Sequence, residues 1–252
     1  QLIYAGGTFG SYGKPLSSLS ADVFLPIVQE LLAAQAHTAN LPKSSWLDNT
    51  LFKDSSQLTP SDFAHFYQLL LAAYAQGGRR FVLITGTDTL SYLGAFLAEA
   101  FAGSDICIVL TGSMRPLLDS EVIHSYCIDE HSDAWDNLNQ SLQLAAAGES
   151  GVKISFGGEA WPAQTVQKIH SHDLMAFTGH FRAAYPANSY VRSLPDTRRQ
   201  HWLDDQQEVL NNIQSRAKSV RVNALYCLPN DAEAINSQLQ ALLSQPPSGI
   251  IL

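Results

Sequence analysis

The sequence predicts an α/β fold: a mostly parallel sheet flanked by helices, in a larger N-terminal domain followed by a smaller α/β domain. Three observations lead there. Short runs such as Phe81-Val82-Leu83-Ile84 and Ile106-Cys107-Ile108-Val109-Leu110 are continuously apolar, as in strands buried on both faces. Segments of helical period separate these runs, and strands alternating with helices imply parallel crossovers. Glycine pairs and capping residues punctuate the joins.

In chain order, Leu2-Ile3-Tyr4-Ala5 reads as a short buried strand that feeds the turn Gly6-Gly7. Ser20 is placed to cap a helix in which Phe24, Ile27, Val28, Leu31 and Leu32 recur at helical spacing. Thr59-Pro60-Ser61-Asp62 is a second helix start, with a cap, a first-turn proline and an acid near the positive end of the dipole. Phe63, Phe66, Tyr67, Leu70, Leu71 and Tyr74 give that helix its apolar face, and Gly77-Gly78 ends it. The Phe81 strand leads to a helix through Leu93, Leu97 and Phe101, then to the Ile106 strand. A helix is expected over residues 133–147, with Trp135, Leu138 and Leu142 in the core, and a strand over 151–156.

Residues 186–200, rich in Pro, Ser, Asn and Arg, read as a linker between a first domain of residues 1–185 and a second of 201–252. The pattern resumes as helix (204–216), strand (220–226), helix (232–243) and strand (250 onward). Ser248-Gly249-Ile250-Ile251-Leu252 reads as the opening of a strand, so the expectation is a C-terminal domain that is incomplete.

Composition narrows the function. The 252 residues are 46% hydrophobic and 15% charged, enough for a sizeable core. A net charge of −8 argues against nucleic acid as the main partner, because phosphate binding needs clustered Lys and Arg. No apolar run reaches the roughly 18 residues of a membrane span. Cys107, Cys127 and Cys227 are odd in number and far apart, with no CxxC pair, which points to a reducing, cytoplasmic compartment.

Ligands of open α/β sheets gather beyond the carboxyl ends of the strands, and two turns there carry unusual chemistry. Gly6-Gly7-Thr8-Phe9-Gly10 combines close backbone approach with the Thr8 hydroxyl. Thr85-Gly86-Thr87-Asp88-Thr89 sets hydroxyls and a carboxylate just before a helix. Taken singly, each turn is equally a strand-to-helix connection whose Thr or Asp caps the helix. Neither GxxxxGK[ST] nor a complete GxGxxG is present, so phosphate binding is not indicated.

Together, Gly6-Gly7-Thr8 and Gly86-Thr87-Asp88-Thr89 resemble the two signatures of the bacterial-type L-asparaginase family, closer to its cytoplasmic type. The resemblance extends through Asp54-Ser55-Ser56, Leu110-Thr111-Gly112-Ser113-Met114-Arg115-Pro116 and Thr165-Val166-Gln167-Lys168-Ile169-His170, in the family's order and spacing over nearly all of residues 1–180. It implies a threonine-nucleophile amidohydrolase that converts asparagine to aspartate and ammonia through an acyl-enzyme. Thr8 matches the nucleophile, and Thr87, Asp88 and Lys168 match the second hydroxyl, acid and lysine. Asp54, Ser55 and Ser56 match the loop that holds the substrate's amino and carboxylate ends, and Ser113 falls near the leaving amide. The chemistry agrees: a threonine hydroxyl needs a base or relay, and Lys168 beside Thr87 and Asp88 could supply one.

One family feature does not transfer. The activating tyrosine of the family's mobile lid has no counterpart in residues 17–21, which leaves Tyr12, in the Gly/Pro loop Ser11-Tyr12-Gly13-Lys14-Pro15, as the substitute to weigh. Its bland alternative is a half-buried loop aromatic. The resemblance also implies no cofactor or metal, a homodimer or homotetramer, and a small-molecule substrate, asparagine or glutamine. Among the histidines, His170 and His172 are two apart and His124 and His131 lie elsewhere, without HExxH spacing. Asp133 and Asn137, four apart on a helix, are expected to tie down loops by hydrogen bonds. Three alternatives stay open: a glutaminase, an amidase that supplies ammonia to an amidotransferase, and a non-catalytic homologue that binds amino acids.

Overall fold

The computed structural model describes residues 1–35, 41–120, 126–180, 193–224, 232–244 and 249–251. In chain order the strand β1 is Leu2–Tyr4, β2 is Ser11–Tyr12 and β3 is Ser17–Ser18; helix α1 is Ala21–Gln35 and α2 is Pro60–Ala75. Then follow β4 (Arg80–Ile84), α3 (Leu90–Ala100), β5 (Cys107–Thr111), α4 (Ala134–Ala147), β6 (Gly151–Phe156) and β7 (Glu159–Pro162). A short pair, β8 (Gln167–Lys168) and β9 (Phe177–Thr178), precedes α5 (Asp196–Ala217), β10 (Val222–Ala224), α6 (Ala232–Ser244) and β11 (Gly249–Ile251).

The central sheet has the order β1-β4-β5-β6-β7, parallel through β6 and antiparallel at β7. This is the α/β class read from the sequence. Strand residues alternate between two apolar faces. Ile3, Phe81, Leu83, Ile108 and Leu110 pack with α2, α3 and α5 on one side. Leu2, Tyr4, Val82, Ile84, Cys107 and Val109 pack with α1 and α4 on the other.

The chain leaves β1 in one direction and β4 in the other. After α1 it returns to pair Trp46 beside Leu2 on the outer edge of β1, whereas after α3 it forms β5 on the far side of β4. The carboxyl ends of β1 and β4 therefore flank a topological switch point, where such sheets open a ligand crevice. Both signature turns emerge there.

Local chemistry sets the helix starts. Thr59 and Asp62 form a reciprocal capping box at α2, with Pro60 at its first position. At α1, the Ser20 carbonyl accepts the Val23 and Phe24 N–H groups. Gly148 ends α4 in the left-handed conformation, φ 73°.

Two elements depart from the sequence reading. The helix expected from residue 204 begins at Asp196, so residues 196–199, whose composition suggested linker, form its first turn. Arg199 explains the early start: it holds Asp196 at 2.6 Å and the buried Asp105 at 2.7 Å, while Trp202 stacks on Phe101 at 5.8 Å between centroids. The polar residues are the solvent face of a helix laid on α2. Strand β7 was not expected at all; Gly157-Gly158 turns β6 back on itself, pairing Phe156 with Glu159. The expected strand over 220–226 is observed at Val222–Ala224 and pairs in parallel with β11; residues 225 and 226, and residues 186–192 of the expected linker, lie outside the described residues.

Candidate active site

Three loops meet at the carboxyl ends of β1 and β4, and they meet backbone to backbone. Gly7 sits at φ 91°, and a Cβ there would lie 2.4 Å from the Gly86 Cα. A Cβ on Gly86 would lie 2.4 Å from the Ser55 Oγ. Only glycine permits these approaches. The turn bearing Thr8, the turn bearing Thr87 and Asp88, and the Asp54-Ser55-Ser56 loop are thereby in direct contact.

Thr8 opens a single 3-10 turn, Thr8–Gly10, and is half-buried. Phe9 beside it is fully buried and meets Phe24 edge-on at 6.0 Å, which fixes the turn to α1. Thr87 and Asp88 are bound to one cation. Lys168 Nζ donates to Thr87 Oγ1 and to Asp88 Oδ1, each at 2.8 Å. Lys168 reaches them from β8, whose partner residue Phe177 is buried against Phe156 at 4.8 Å. The outer side of the arrangement stays wet, with the Asp88 side chain 55% exposed.

The Asp54-Ser55-Ser56 loop divides its work. Ser55 is 3% exposed; its hydroxyl accepts the Asp88 N–H at 3.2 Å and its carbonyl accepts the Thr89 hydroxyl at 2.9 Å. Asp54 accepts both the Ser56 N–H and the Ser56 hydroxyl, bonds that hold its carboxyl below the usual carboxylate range. Asp54 and Ser56 are exposed, Ser55 is not.

Ser113 is 1% exposed and donates to the Arg115 carbonyl at 2.5 Å. Its loop is held by the two helix residues singled out from the sequence. The Asp133 carboxylate accepts the Met114 and Arg115 N–H groups at 3.0–3.1 Å. Asn137, 1% exposed, donates to the Gly112 carbonyl at 3.0 Å and accepts the Gly157 N–H at 2.9 Å. Burial raises the Asp133 carboxyl despite these donors.

Tyr12 lies on the β2–β3 hairpin that follows the Thr8 turn, half-buried, its ring 5.6 Å from that of Tyr126. His170 and His172 are exposed on the connection between β8 and β9, and His131 is exposed elsewhere; His124 lies outside the described residues. Sequence reasoning did not single out Asn49, which is 7% exposed and donates to the Tyr4 and Leu51 carbonyls at 2.8 and 2.7 Å. Nor did it find that Lys53 pairs with Asp62 at 2.8 Å. Both anchor the loop that delivers Ser55. An Asn and a Lys in a polar loop carry no local mark of such a role.

The family model for the N-terminal part of asparaginases matches residues 1–189. The chain belongs to the asparaginase family. Among its relatives, an L-asparaginase of Thermococcus kodakarensis is 30% identical over 192 residues, which is 74% of this chain and 52% of that protein. A probable L-asparaginase of Deinococcus radiodurans is 30% identical over 193 residues, covering 71% and 50%, and L-asparaginase 1 of Escherichia coli is 26% identical over 180 residues, covering 69% and 48%. The chain thus spans about half the length of the curated relatives it matches. Two solved structures share the fold over 99% of this chain. They are a probable cytoplasmic L-asparaginase of Campylobacter jejuni (TM-score 0.65, 21% identity, 71% of that chain) and L-asparaginase I of Vibrio cholerae (0.66, 19%, 69%).

Proposed function

We propose that this protein hydrolyses the side-chain amide of L-asparagine to L-aspartate and ammonia, with Thr8 as nucleophile. The observation that carries the reading is Lys168, bound at 2.8 Å to both Thr87 and Asp88 on a turn whose backbone abuts the Thr8 turn. Thr8 Oγ1 attacks the amide carbonyl carbon, and its proton passes to the leaving nitrogen, which departs as ammonia. The aspartyl ester left on Thr8 is then attacked by a water activated at the second hydroxyl. The Lys168 ammonium lowers the proton affinity of Thr87 and stabilises negative charge as it develops. Asp88, exposed at its outer edge, is suited to the substrate's α-ammonium, and Asp54 and Ser56 to its α-substituents. Tyr12 is the proposed activator of Thr8.

Ser55 and Ser113 act in this reading largely through their loops, since both hydroxyls are buried and engaged. Family membership supports a small-molecule substrate. We further propose a cytoplasmic homo-oligomer, with residues 1–185 as the catalytic unit and 201–252 as a smaller α/β unit that α5, packed on α2 through Leu210, ties to the first core. The separate pairing of β10 with β11 supports that division. No helix among the described residues is long and apolar enough to cross a membrane.

The test is ammonia release from asparagine and glutamine by the full chain and by Thr8→Val. Wild type should release ammonia and Thr8→Val should not. A wild type that binds asparagine without releasing ammonia refutes hydrolysis; a Thr8→Val variant at full rate refutes the nucleophile.

A further inference from the structure

The hairpin of β2 and β3 follows directly on the Thr8 turn and carries Tyr12, yet its ladder is only two residues long on each side. A hairpin of that size has little stability of its own. Leu16, near its tip, is 56% exposed. What keeps such a hairpin in place must come from elsewhere in the fold.

Two short arms of the chain beyond Ser113 supply it. Leu118 and Ile128 form an antiparallel bridge, Asp119 N–H donates to the Cys127 carbonyl at 2.9 Å, and Asp129 N–H donates to the Leu117 carbonyl at 2.9 Å. Leu117 and Leu118, 0% and 1% exposed, root these arms in the core beside Phe9 and Phe24. Leu117 N–H donates to the Phe9 carbonyl at 3.0 Å, one residue from Thr8. At the outer end, the Ser120 hydroxyl accepts the Gly13 N–H at 2.8 Å, and the Tyr126 ring meets the Tyr12 ring at 5.6 Å and 57°. The inner end continues through Ser132 and Asp133, which fix the Met114-Arg115 backbone.

We propose that these arms are a clasp and that Ser120 and Tyr126 are positioning residues for catalysis. They hold the Tyr12 hairpin in register over Thr8 and couple it rigidly to the Ser113 loop. Neither touches the reacting atoms. Ser120 sets the height of the hairpin through the backbone of Gly13, and Tyr126 sets the tilt of the Tyr12 ring. Loosening either costs orientation in the transition state and leaves the binding of substrate largely alone. The inference rests on the asparaginase reading of the site.

The experiment compares steady-state asparagine hydrolysis by the full chain with Ser120→Ala, Tyr126→Ala, Tyr126→Phe and the double variant Tyr12→Ala/Tyr126→Ala. Hydrogen exchange at the Gly13 amide is followed in parallel. Tyr126→Ala should lower kcat by roughly two- to tenfold, the range of an aromatic pair, with KM within about twofold. Tyr126→Phe should restore the rate, because the ring contact is kept. Ser120→Ala should speed Gly13 exchange and lower kcat in the same way. Loss of Tyr126 should add nothing once Tyr12 is gone. An active wild type whose Ser120→Ala and Tyr126→Ala variants keep wild-type kcat overturns the clasp, as does Gly13 exchange unaltered by Ser120→Ala. A wild type that releases no ammonia refutes instead the reading of the site beneath it.

Discussion

Replacing Lys168 by Met removes one positive charge and keeps the length of the stem, which makes it the sharpest test of the relay. Lys168 gives 2.8 Å bonds to Thr87 and Asp88, and its side chain is 20% exposed against 55% for Asp88. For folding this is a solvent-screened pair, worth about 0–1 kcal/mol, so the melting temperature should move by a few degrees at most. In the proposed mechanism the same charge serves a proton transfer, and such groups contribute about 10²–10⁴-fold. That is about 3–5.5 kcal/mol of barrier. The two magnitudes separate the roles: a structural lysine would show its loss in unfolding, a relay lysine in turnover. Coupled ammonia detection gives kcat and KM, calorimetry gives asparagine affinity, and urea titration gives stability. The expected result is a kcat lowered at least 100-fold, affinity within about threefold and stability within about 1 kcal/mol. Turnover within threefold of wild type would remove Lys168 from the mechanism.

Further outcomes follow from the same structure. Burial would raise the Asp105 carboxyl, but Arg199, Tyr74 and the Leu194 N–H outweigh it and hold it at about 2, below the ordinary 3.8. A depressed folded value means the contribution is complete above about pH 4 and is lost as pH falls toward about 2; it amounts to about 2 kcal/mol. The stability gap between wild type and Asp105→Asn in urea should therefore narrow from pH 7 to pH 2.5, and a constant gap would contradict the linkage. Gly86→Ala drives a Cβ to 2.4 Å from Ser55 Oγ and should destabilise by about 1–3 kcal/mol while lowering ammonia release more than tenfold. Asn137→Ala strands the buried Gly112 carbonyl and the half-buried Gly157 N–H; thermal melts should register a loss of about 1–3 kcal/mol, and a loss under 0.5 kcal/mol would show that the pair is satisfied otherwise.

Most of the fold was legible because both faces of the sheet are apolar and leave continuous runs such as residues 81–84 and 106–110. The capping box at Thr59 and Asp62 was readable because its partners are three residues apart. What escaped depended on distant partners. The start of α5 is decided by Asp105, some ninety positions away in sequence, which draws Arg199 into the first turn. Strand β7 had a usable local signal, since Gly157 and Gly158 sit at φ 59° and 83° in a two-residue hairpin turn, but Glu159-Ala160-Trp161-Pro162 is too short and mixed to read as a strand.

The site shows the same division in a form that bears on mechanism. Thr8, Thr87 and Asp88 stand out because hydroxyls and a carboxylate sit in glycine turns at strand ends, whereas Lys168, on β8, stands out only through the block of residues 165–170 that resembles the family. The motif does not separate the groups that face substrate from the groups that hold those groups in place. Ser55 and Ser56 are neighbours of one chemical kind, yet one is buried under the Asp88 turn and the other is exposed on Asp54. The deciding contact is glycine: Gly86 lacks the Cβ that would occupy the space of the Ser55 hydroxyl. Ser55 is therefore best understood as the support through which the first signature, the second signature and the loop between them share one backbone geometry. A Ser55→Ala substitution accordingly should loosen Asp88 and lower kcat, whereas Ser56→Ala should act chiefly on KM. If both variants shift KM alike with kcat unchanged, burial has misled and the two serines share one role toward substrate.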